Sequence, residues 1–353
     1  MTILLFLLLL SVIITIHEAG HLAAAKMLGV YCYEFSFGMG PLLWKKKGKE
    51  TQYSIRAIPM GGYVSMAGEP DGDMLYPDVT VPEDRRLINK KTWQKIVIML
   101  AGVTMNFLLA WTIFSMVILA AGQFVKSAPA EVIAVSPGSP AEKAGFQEGD
   151  VVKKIIRADG SSATIRTFLD MQLFNADNTE EETYIIDRGG EEITLTVTPE
   201  YNEEMEAYLI GVTGSSGELV KVNALSCWKY GAEEMGIITR TMLRTIRGLF
   251  AGRGLNQLSG PVGIYQATET YASMGFASYM LLVGQLSLNV GIFNLLPLPI
   301  LDGGQVVIAV CEGVTRRKFN ERIKTGIMAV CWVLIIGLML FVTWNDISRL
   351  FLH

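Results

Sequence analysis

Two of the three histidines in this 353-residue chain stand four residues apart with a glutamate between them, in His17-Glu18-Ala19-Gly20-His21. On a helix, residues four apart share a face, so both imidazoles can reach one metal ion while Glu18 sits beside it. Zinc hydrolases use this arrangement, with imidazoles as ligands and a carboxylate to take a proton from water. A pattern this short can arise by chance. Here, however, it interrupts an apolar run, from Thr2 to Ile16 before it and from Leu22 to Val30 after it, and the remaining histidine is the terminal His353. Ionisable groups within such a run are costly and usually functional.

A catalytic zinc site needs a third protein ligand and an open position. With no other histidine available, the third ligand is expected to be an acid inside an apolar segment. Asp302 is the only carboxylate in the interior of the later apolar blocks, since Glu312 lies at an end. It follows Asn294-Leu295-Leu296-Pro297-Leu298-Pro299-Ile300-Leu301, where two prolines lack backbone donors and should break a helix. At membrane depth such backbone is tolerated only where it is buried in protein or lines a wet cavity, and hydrolysis needs such a cavity.

The elements that must position these groups are apolar blocks. Half of the residues are hydrophobic, concentrated at Thr2–Val30, Ile96–Phe124, Tyr279–Cys311 and Gly326–Thr343. Each is about long enough to cross a hydrocarbon core of roughly 30 Å. The expected fold is a polytopic α-helical membrane protein with about four transmembrane helices. Its expected parts are a first helix at 1–30, a cytoplasmic and membrane-associated β segment and loop at 31–95, and a second helix at 96–124. A small extracytoplasmic domain at 125–222 and an extracytoplasmic amphipathic helical region at 223–278 follow. A third transmembrane segment at 279–312, a cytoplasmic loop at 313–325, and a fourth helix and tail at 326–353 complete it. A cleaved signal peptide is the alternative for the first block, but no Lys or Arg precedes the apolar run.

Loop charge orients the chain. Lys45, Lys46, Lys47, Lys49, Arg56, Arg85, Arg86, Lys90, Lys91 and Lys95 lie between the first two blocks, and Arg316, Arg317, Lys318, Arg322 and Lys324 between the last two. Both loops are expected in the cytoplasm, with the termini and the stretch from Lys126 to Ser278 outside. The net charge of -4 implies no particular partner, and no basic run outside these loops suggests nucleic acid. Cys32, Cys227, Cys311 and Cys331 are far apart and form no metal-binding pair.

Between the second and third blocks the composition becomes that of a small α+β domain. Strands are expected at Glu131–Val135 and Val151–Ile156, helices at Ala141–Ala144 and Ile165–Asn175, and a hairpin of Tyr184–Asp187 with Glu191–Val197 across Arg188-Gly189-Gly190. The run from Ser136 to Asp150 resembles the corresponding stretch of bacterial PDZ domains. That likeness implies one PDZ-like domain with a groove for an extended peptide, or else a domain that only restricts access to the membrane part. Asn223–Phe250 reads as an amphipathic helix, lying on the outer membrane surface or packing on the PDZ-like domain.

Taken together, the chain resembles the site-2 proteases, in the bacterial branch that cleaves anti-sigma factors. That family pairs H-E-x-x-H in its first span with a later N-x-x-P-x-P-x-L-D-G, matched here from Asn294 to Gly303. Further likenesses are Pro59-Met60-Gly61-Gly62-Tyr63-Val64, Gly102 and Asn106, and Ser259-Gly260-Pro261-Val262-Gly263-Ile264. Val103 stands where the family often has proline, and there is one PDZ-like domain where some relatives have two.

The resemblance implies His17, His21 and Asp302 as zinc ligands, Glu18 as general base, and Asn294 as a group for substrate backbone or oxyanion, or one that ties down broken helix backbone. It implies substrates that are membrane proteins with a transmembrane segment, such as anti-sigma factors or signal-peptide remnants. It also implies location in the bacterial cytoplasmic membrane with the site toward the cytoplasm. Phe35–Met66 resembles the family's membrane-associated β segment, offering an edge strand to an unwound substrate, or else is an ordinary cytoplasmic hairpin. Two other classes remain, a divalent-metal transporter and an inactive PDZ-like scaffold. The first is disfavoured by the lack of internal repeats and the second by the intact Glu18.

Overall fold

The structure is a computed structural model that describes residues 1–126, 128–175, 178–202, 207–215, 217–250, 259–317 and 321–352. The chain divides into two compact units, one of Met1–Ala120 with Ala224–His353 and one of Ala121–Asn223.

The first unit opens with helix α1 (Thr2–Met27). Its buried positions Leu9, Ile13, His17, Gly20, His21, Ala24 and Ala25 fall three and four apart, the spacing of one helical face. Strands β1 (Cys32–Lys47) and β2 (Gln52–Met66) follow, then the short helix α2 (Pro70–Leu75). The register runs from Cys32↔Met66 to Lys47↔Gln52, but residues 34–37 have two sets of partners, Gln52–Ile55 on one side and Gly62–Ser65 on the other. The ribbon therefore folds over itself, and the Gly62–Met66 arm keeps one edge turned away from β1. Exposed Leu42, Leu43, Trp44, Ile55 and Ile58 gather toward the bend.

One fully buried carboxylate ties these arms together. Glu34 accepts from Arg56 Nη2 at 3.0 and 3.1 Å, from the Tyr63 hydroxyl at 2.8 Å, and from the hydroxyls of Ser54 and Tyr76. Burial works to raise its pKa, yet these donors outweigh burial and hold it below the ordinary 4.5.

Helix α3 (Thr92–Ala121) begins four residues before the expected 96 and ends at Ala121, so Gly122–Phe124 are not helical. The second unit then starts with β3 (Gln123–Lys126) and β4 (Val132–Val135). After α4 (Pro140–Ala144) come β5 (Val151–Arg157), β6 (Ser162–Thr164), α5 (Phe168–Asn175), β7 (Glu182–Arg188) and β8 (Glu191–Val197). The expected hairpin is β7 with β8, turned by Gly189 and Gly190, both at positive φ as a two-residue turn of this hand requires. The sheet order is β6-β5-β7-β8, and its core includes Tyr184, Ile186, Ile155, Val152 and Phe146.

Besides β3 and β6, four further strands are not expected from the sequence: β9 (Glu200–Asn202), β10 (Ala207–Leu209), β11 (Val212–Gly214) and β12 (Glu218–Lys221). The last pairs with β3, and Val222 N–H donates to Gly122 O at 3.0 Å. The two ends of this unit are thus stapled side by side.

Helix α6 (Ser226–Phe250) returns to the first unit. It is amphipathic as expected, and part of its apolar face packs within the first unit. Met235, Ile238, Met242 and Ile246 pack with Ala110 and Phe114 of α3, and Trp111 Nε1 donates to Trp228 O at 2.8 Å. A face that reads as interfacial can equally be covered by neighbouring helices, because both surroundings are apolar. Helix α7 (Pro261–Ser273), within the region 223–278 expected to be helical, follows, then α8 (Phe276–Asn294), α9 (Asp302–Thr315) and α10 (Glu321–Leu352). The segment expected at 279–312 is thus two helices, broken at 295–301 where Pro297 and Pro299 cannot donate. Among the described residues, four helices are long and apolar enough to cross a membrane, Thr2–Met27, Thr92–Ala121, Phe276–Asn294 and Thr325–Ser348.

The Glu34 network yields a stability prediction. A carboxylate whose folded pKa is depressed stabilises fully above its unfolded value and loses that contribution as pH falls through the folded one. Glu34→Gln should cost about 2 kcal/mol at neutral pH, with Arg56 left without its ion partner. The loss should shrink as wild type is acidified below 4.5. Hydrogen exchange of the β1 and β2 amides, measured at neutral and acidic pH, checks both points.

Candidate metal centre

Helix α1 and helix α3 meet at glycines. A Cβ on Gly20 would lie 2.4 Å from Ala101 O, and one on Gly102 would lie 2.4 Å from His21 Nε2 and 2.8 Å from His17 Cε1. The bare backbone at 102 is therefore the floor under both imidazoles. On the same face of α3, one turn to either side, Ile98 O lies 2.8 Å from His21 Nδ1 and the Asn106 amide 3.2 Å from His17 Nδ1. The bond to Ile98 O makes His21 Nδ1 the protonated nitrogen and leaves the Nε2 lone pair for a metal. Asn106 is fully buried, and its Oδ1 has no partner. Turned toward Nδ1–H, that oxygen would fix His17 in the same tautomer.

Asp302 reaches the imidazoles from the far side of the broken segment. Its Oδ2 lies 3.1 Å from His17 Nε2 and 3.5 Å from His21 Nε2, and the two Nε2 atoms are 3.1 Å apart. Asp302 opens α9, just after Leu301. The following glycines permit this: a Cβ on Gly303 would lie 2.2 Å from Leu295 O and one on Gly304 2.0 Å from Leu298 O, so the segment folds back directly onto the helix start. Gln305 Nε2 donates to Pro299 O at 2.5 Å, giving the freed carbonyl a partner.

Three donor atoms, from His17, His21 and Asp302, thus lie within 4.8 Å of one another. Two neutral imidazole nitrogens and a carboxylate oxygen fit a metal with nitrogen and oxygen preference. The Asp302 Oδ2 that faces both rings has no hydrogen-bond donor, as a ligand atom would not. The donor set present fits a divalent cation.

Glu18 lines the same cavity, of about 330 Å³, and its Oε2 accepts from Val64 N–H at 3.2 Å. Asn294, at the end of α8, places its Nδ2 3.4 Å from His17 Nε2. All five residues singled out from the sequence are therefore brought to one cavity. Three that matter geometrically had only a weak signal or none. Gly102 and Asn106 stand out in the sequence only as family likenesses with no role, and Glu69, which also lines the cavity, carries no signal there.

Comparison with known proteins agrees with this site. The model of Peptidase family M50 matches residues 5–338. The regulator of sigma-W protease RasP of Bacillus subtilis is 30% identical, the match covering 99% of each chain. Zinc metalloprotease RasP of Oceanobacillus iheyensis is 31% identical, over 99% of this chain and 100% of that one. A solved PDZ domain of an SdrC-like protein from Listeria monocytogenes matches 26% of this chain at 15% identity, with a TM-score of 0.21. With His17, Glu18, His21 and Asp302 converging and the family match running almost end to end, the chain belongs to peptidase family M50 and is a metalloprotease of the site-2 type.

Proposed function

We propose that His17, His21 and Asp302 hold a zinc ion, that Glu18 is the general base, and that the enzyme cleaves transmembrane segments of single-span membrane proteins. The observation that carries this is the convergence of three metal-type donors and one further carboxylate on a single cavity. The transporter and scaffold readings fall with family membership. When bound, zinc supplies a Lewis acid that acidifies water and polarises the scissile carbonyl. Glu18, which lines the same cavity as the three donors, takes a proton from water and returns it to the leaving amine. Asn294, with its amide beside His17, is suited to donate to substrate backbone or oxyanion.

A transmembrane helix hides its peptide bonds, so the substrate must unwind and its exposed backbone needs partners. The outward edge of the Gly62–Met66 arm supports a role in supplying them, since Val64 and Met66 line the metal cavity. The exposed apolar side chains near the ribbon's bend favour a membrane-associated segment over an ordinary cytoplasmic hairpin. By likeness to a relative named for sigma-W regulation, anti-sigma factors are one substrate class and signal-peptide remnants another. The enzyme would lie in the bacterial cytoplasmic membrane with four spans, both basic loops inside, and the site toward the cytoplasm. The β-rich unit we read as an extracytoplasmic PDZ-like domain that filters substrates by size, with peptide capture in its groove as the alternative role.

Three experiments test these assignments. In detergent-purified protein, His17→Ala, His21→Ala and Asp302→Ala should lose zinc and cleavage of a single-span substrate. Glu18→Gln should keep zinc and slow cleavage by about 10²- to 10⁴-fold. Gly102→Ala, which puts a methyl group against both rings, should weaken zinc binding by roughly 10- to 100-fold. Wild-type cleavage by Glu18→Gln would refute the mechanism.

Orientation is read by single cysteines in a background lacking the native four. Cysteines near Lys47 and Arg317 should be shielded from an impermeant thiol reagent in intact cells, and one near Glu181 should react. Labelling at Lys47 would invert the topology.

The last test exploits the adjacent ends of the β-rich unit. Replacing residues 123–221 by a short linker should preserve cleavage of substrates with short outer segments and admit those with bulky outer domains. Slower cleavage of both kinds, at full zinc content, would instead indicate recruitment.

A further inference from the structure

Residues two apart on a strand turn their backbone donors to the same edge. On β2 that edge carries the amides of Val64 and Met66, and each meets a carboxylate: Val64 N–H donates to Glu18 at 3.2 Å, and Met66 N–H donates to Glu69 Oε2 at 3.2 Å. Glu69 also donates its own N–H to Met66 O at 3.3 Å. Glu69 therefore fills, at Met66, both places that a partner strand would fill. An extended segment added to this edge can pair along Gly62–Val64, taking over the Val64 amide from Glu18. It must stop at Met66, where Glu69 fills both the donor and the acceptor, so that its last residue lies against Glu69.

Glu69 also lines the metal cavity. The lining includes the apolar side chains of Val64, Met66, Met99, Ile300 and Leu301, and the remaining charged or ionisable lining residues are His17, Glu18, His21 and Asp302. Glu69 is thus the one charged lining residue, among those described, that the proposed chemistry does not use. A carboxylate fixed in a protein cavity attracts a cation and repels an anion more strongly than it would in bulk water. The residues that flank a membrane span on its cytoplasmic side are enriched in Lys and Arg.

We propose that Glu69 is a specificity-determining residue, selecting substrates that carry a basic side chain close to the scissile bond, where the extended segment ends. This rests on the protease reading above and names the substrate class for that same site. Attraction to Lys or Arg and repulsion of Asp or Glu act together, so a single carboxylate both recruits and rejects.

The test uses the zinc-loaded full chain and single-span substrates that differ only by Lys, Gln or Glu at each position flanking the mapped cleavage site. Wild type should rank them Lys above Gln above Glu at one position, with kcat/KM differing by about tenfold or more between the extremes. Glu69→Gln, which keeps an acceptor for Met66 N–H, should compress that spread to within about twofold, and Glu69→Lys should reverse it. Glu69→Asp keeps the charge and should keep the ranking, which a merely structural role would not predict. Equal cleavage of all three by wild type, or the same ranking in Glu69→Gln, overturns the proposal. Failure of the protease reading looks different: the zinc-loaded wild type would cleave none of the substrates.

Discussion

Helices α1 and α3 approach so closely that no side chain fits at their crossing, and the metal centre depends on that approach. Ile98, Gly102 and Asn106 are spaced four apart on α3, while His17 and His21 are four apart on α1. The two stripes run against each other, so each imidazole rests on the Gly102 backbone and has its second nitrogen beside a group one turn away. In lipid the hydrophobic effect gives helices little reason to associate, and small residues with interhelical polar contacts take its place. The same contacts that bring the helices together orient the two imidazoles. Elsewhere in the bundle, Ser287 Oγ donates to Asn106 O at 3.0 Å and the Tyr279 hydroxyl to Leu5 O at 2.9 Å, which ties α8 to both helices.

The third donor comes from an interrupted helix because an unbroken one would bury its backbone donors and acceptors in its own ladder. Pro297 and Pro299 open the chain, Gly303 and Gly304 let it fold back, and Gln305 satisfies the Pro299 carbonyl. Asp302 stands at the N-terminal end of α9, where the helix dipole favours negative charge. On the opposite side of the cavity, the Gly62–Met66 arm is held by Glu34, whose donors come from both flanking arms and from Tyr76 beyond the ribbon. A hydroxyl bonded to a buried carboxylate resists ionisation, and burial and Glu34 together push Tyr63 up to about 12. The arm that adjoins Glu18 is therefore fixed by groups outside the proposed chemistry.

How much of this was legible depended on whether chemistry or distance carried the signal. His17, Glu18 and His21 declare themselves by type and spacing, and Asp302 by being the only acid in the interior of the later apolar blocks. The proline break and the β7–β8 hairpin were legible because Pro and Gly act locally. Gly102, Asn106 and Glu69 were not, since a glycine that receives an imidazole from another helix has no local signature. The apolar face of α6 was visible, but what covers it was not. Strands β9 to β12 have three or four residues each, too few for alternation to emerge.

The Ser259–Ile264 stretch shows how a motif without chemistry can still be required. Asp346, buried in α10, accepts from Gly260 N–H at 2.8 Å and Gly263 N–H at 2.9 Å, so a carboxylate from one helix caps the first turn of another. Both positions are tight: a Cβ on Gly260 would lie 3.0 Å from Asp346 Oδ2, and one on Gly263 would lie 2.9 Å from Ser259 Cβ. Only 11% of the apolar window of α10 is buried, so this helix has little packing to hold it. A buried carboxylate is costly in lipid unless its acceptors are filled, and the exposed amides at the start of α7 fill them. Separating the two would strand an acid and two amides at once. The anchoring of α10 therefore follows from the cost of leaving these groups unpaired, the same constraint that shapes the metal cavity.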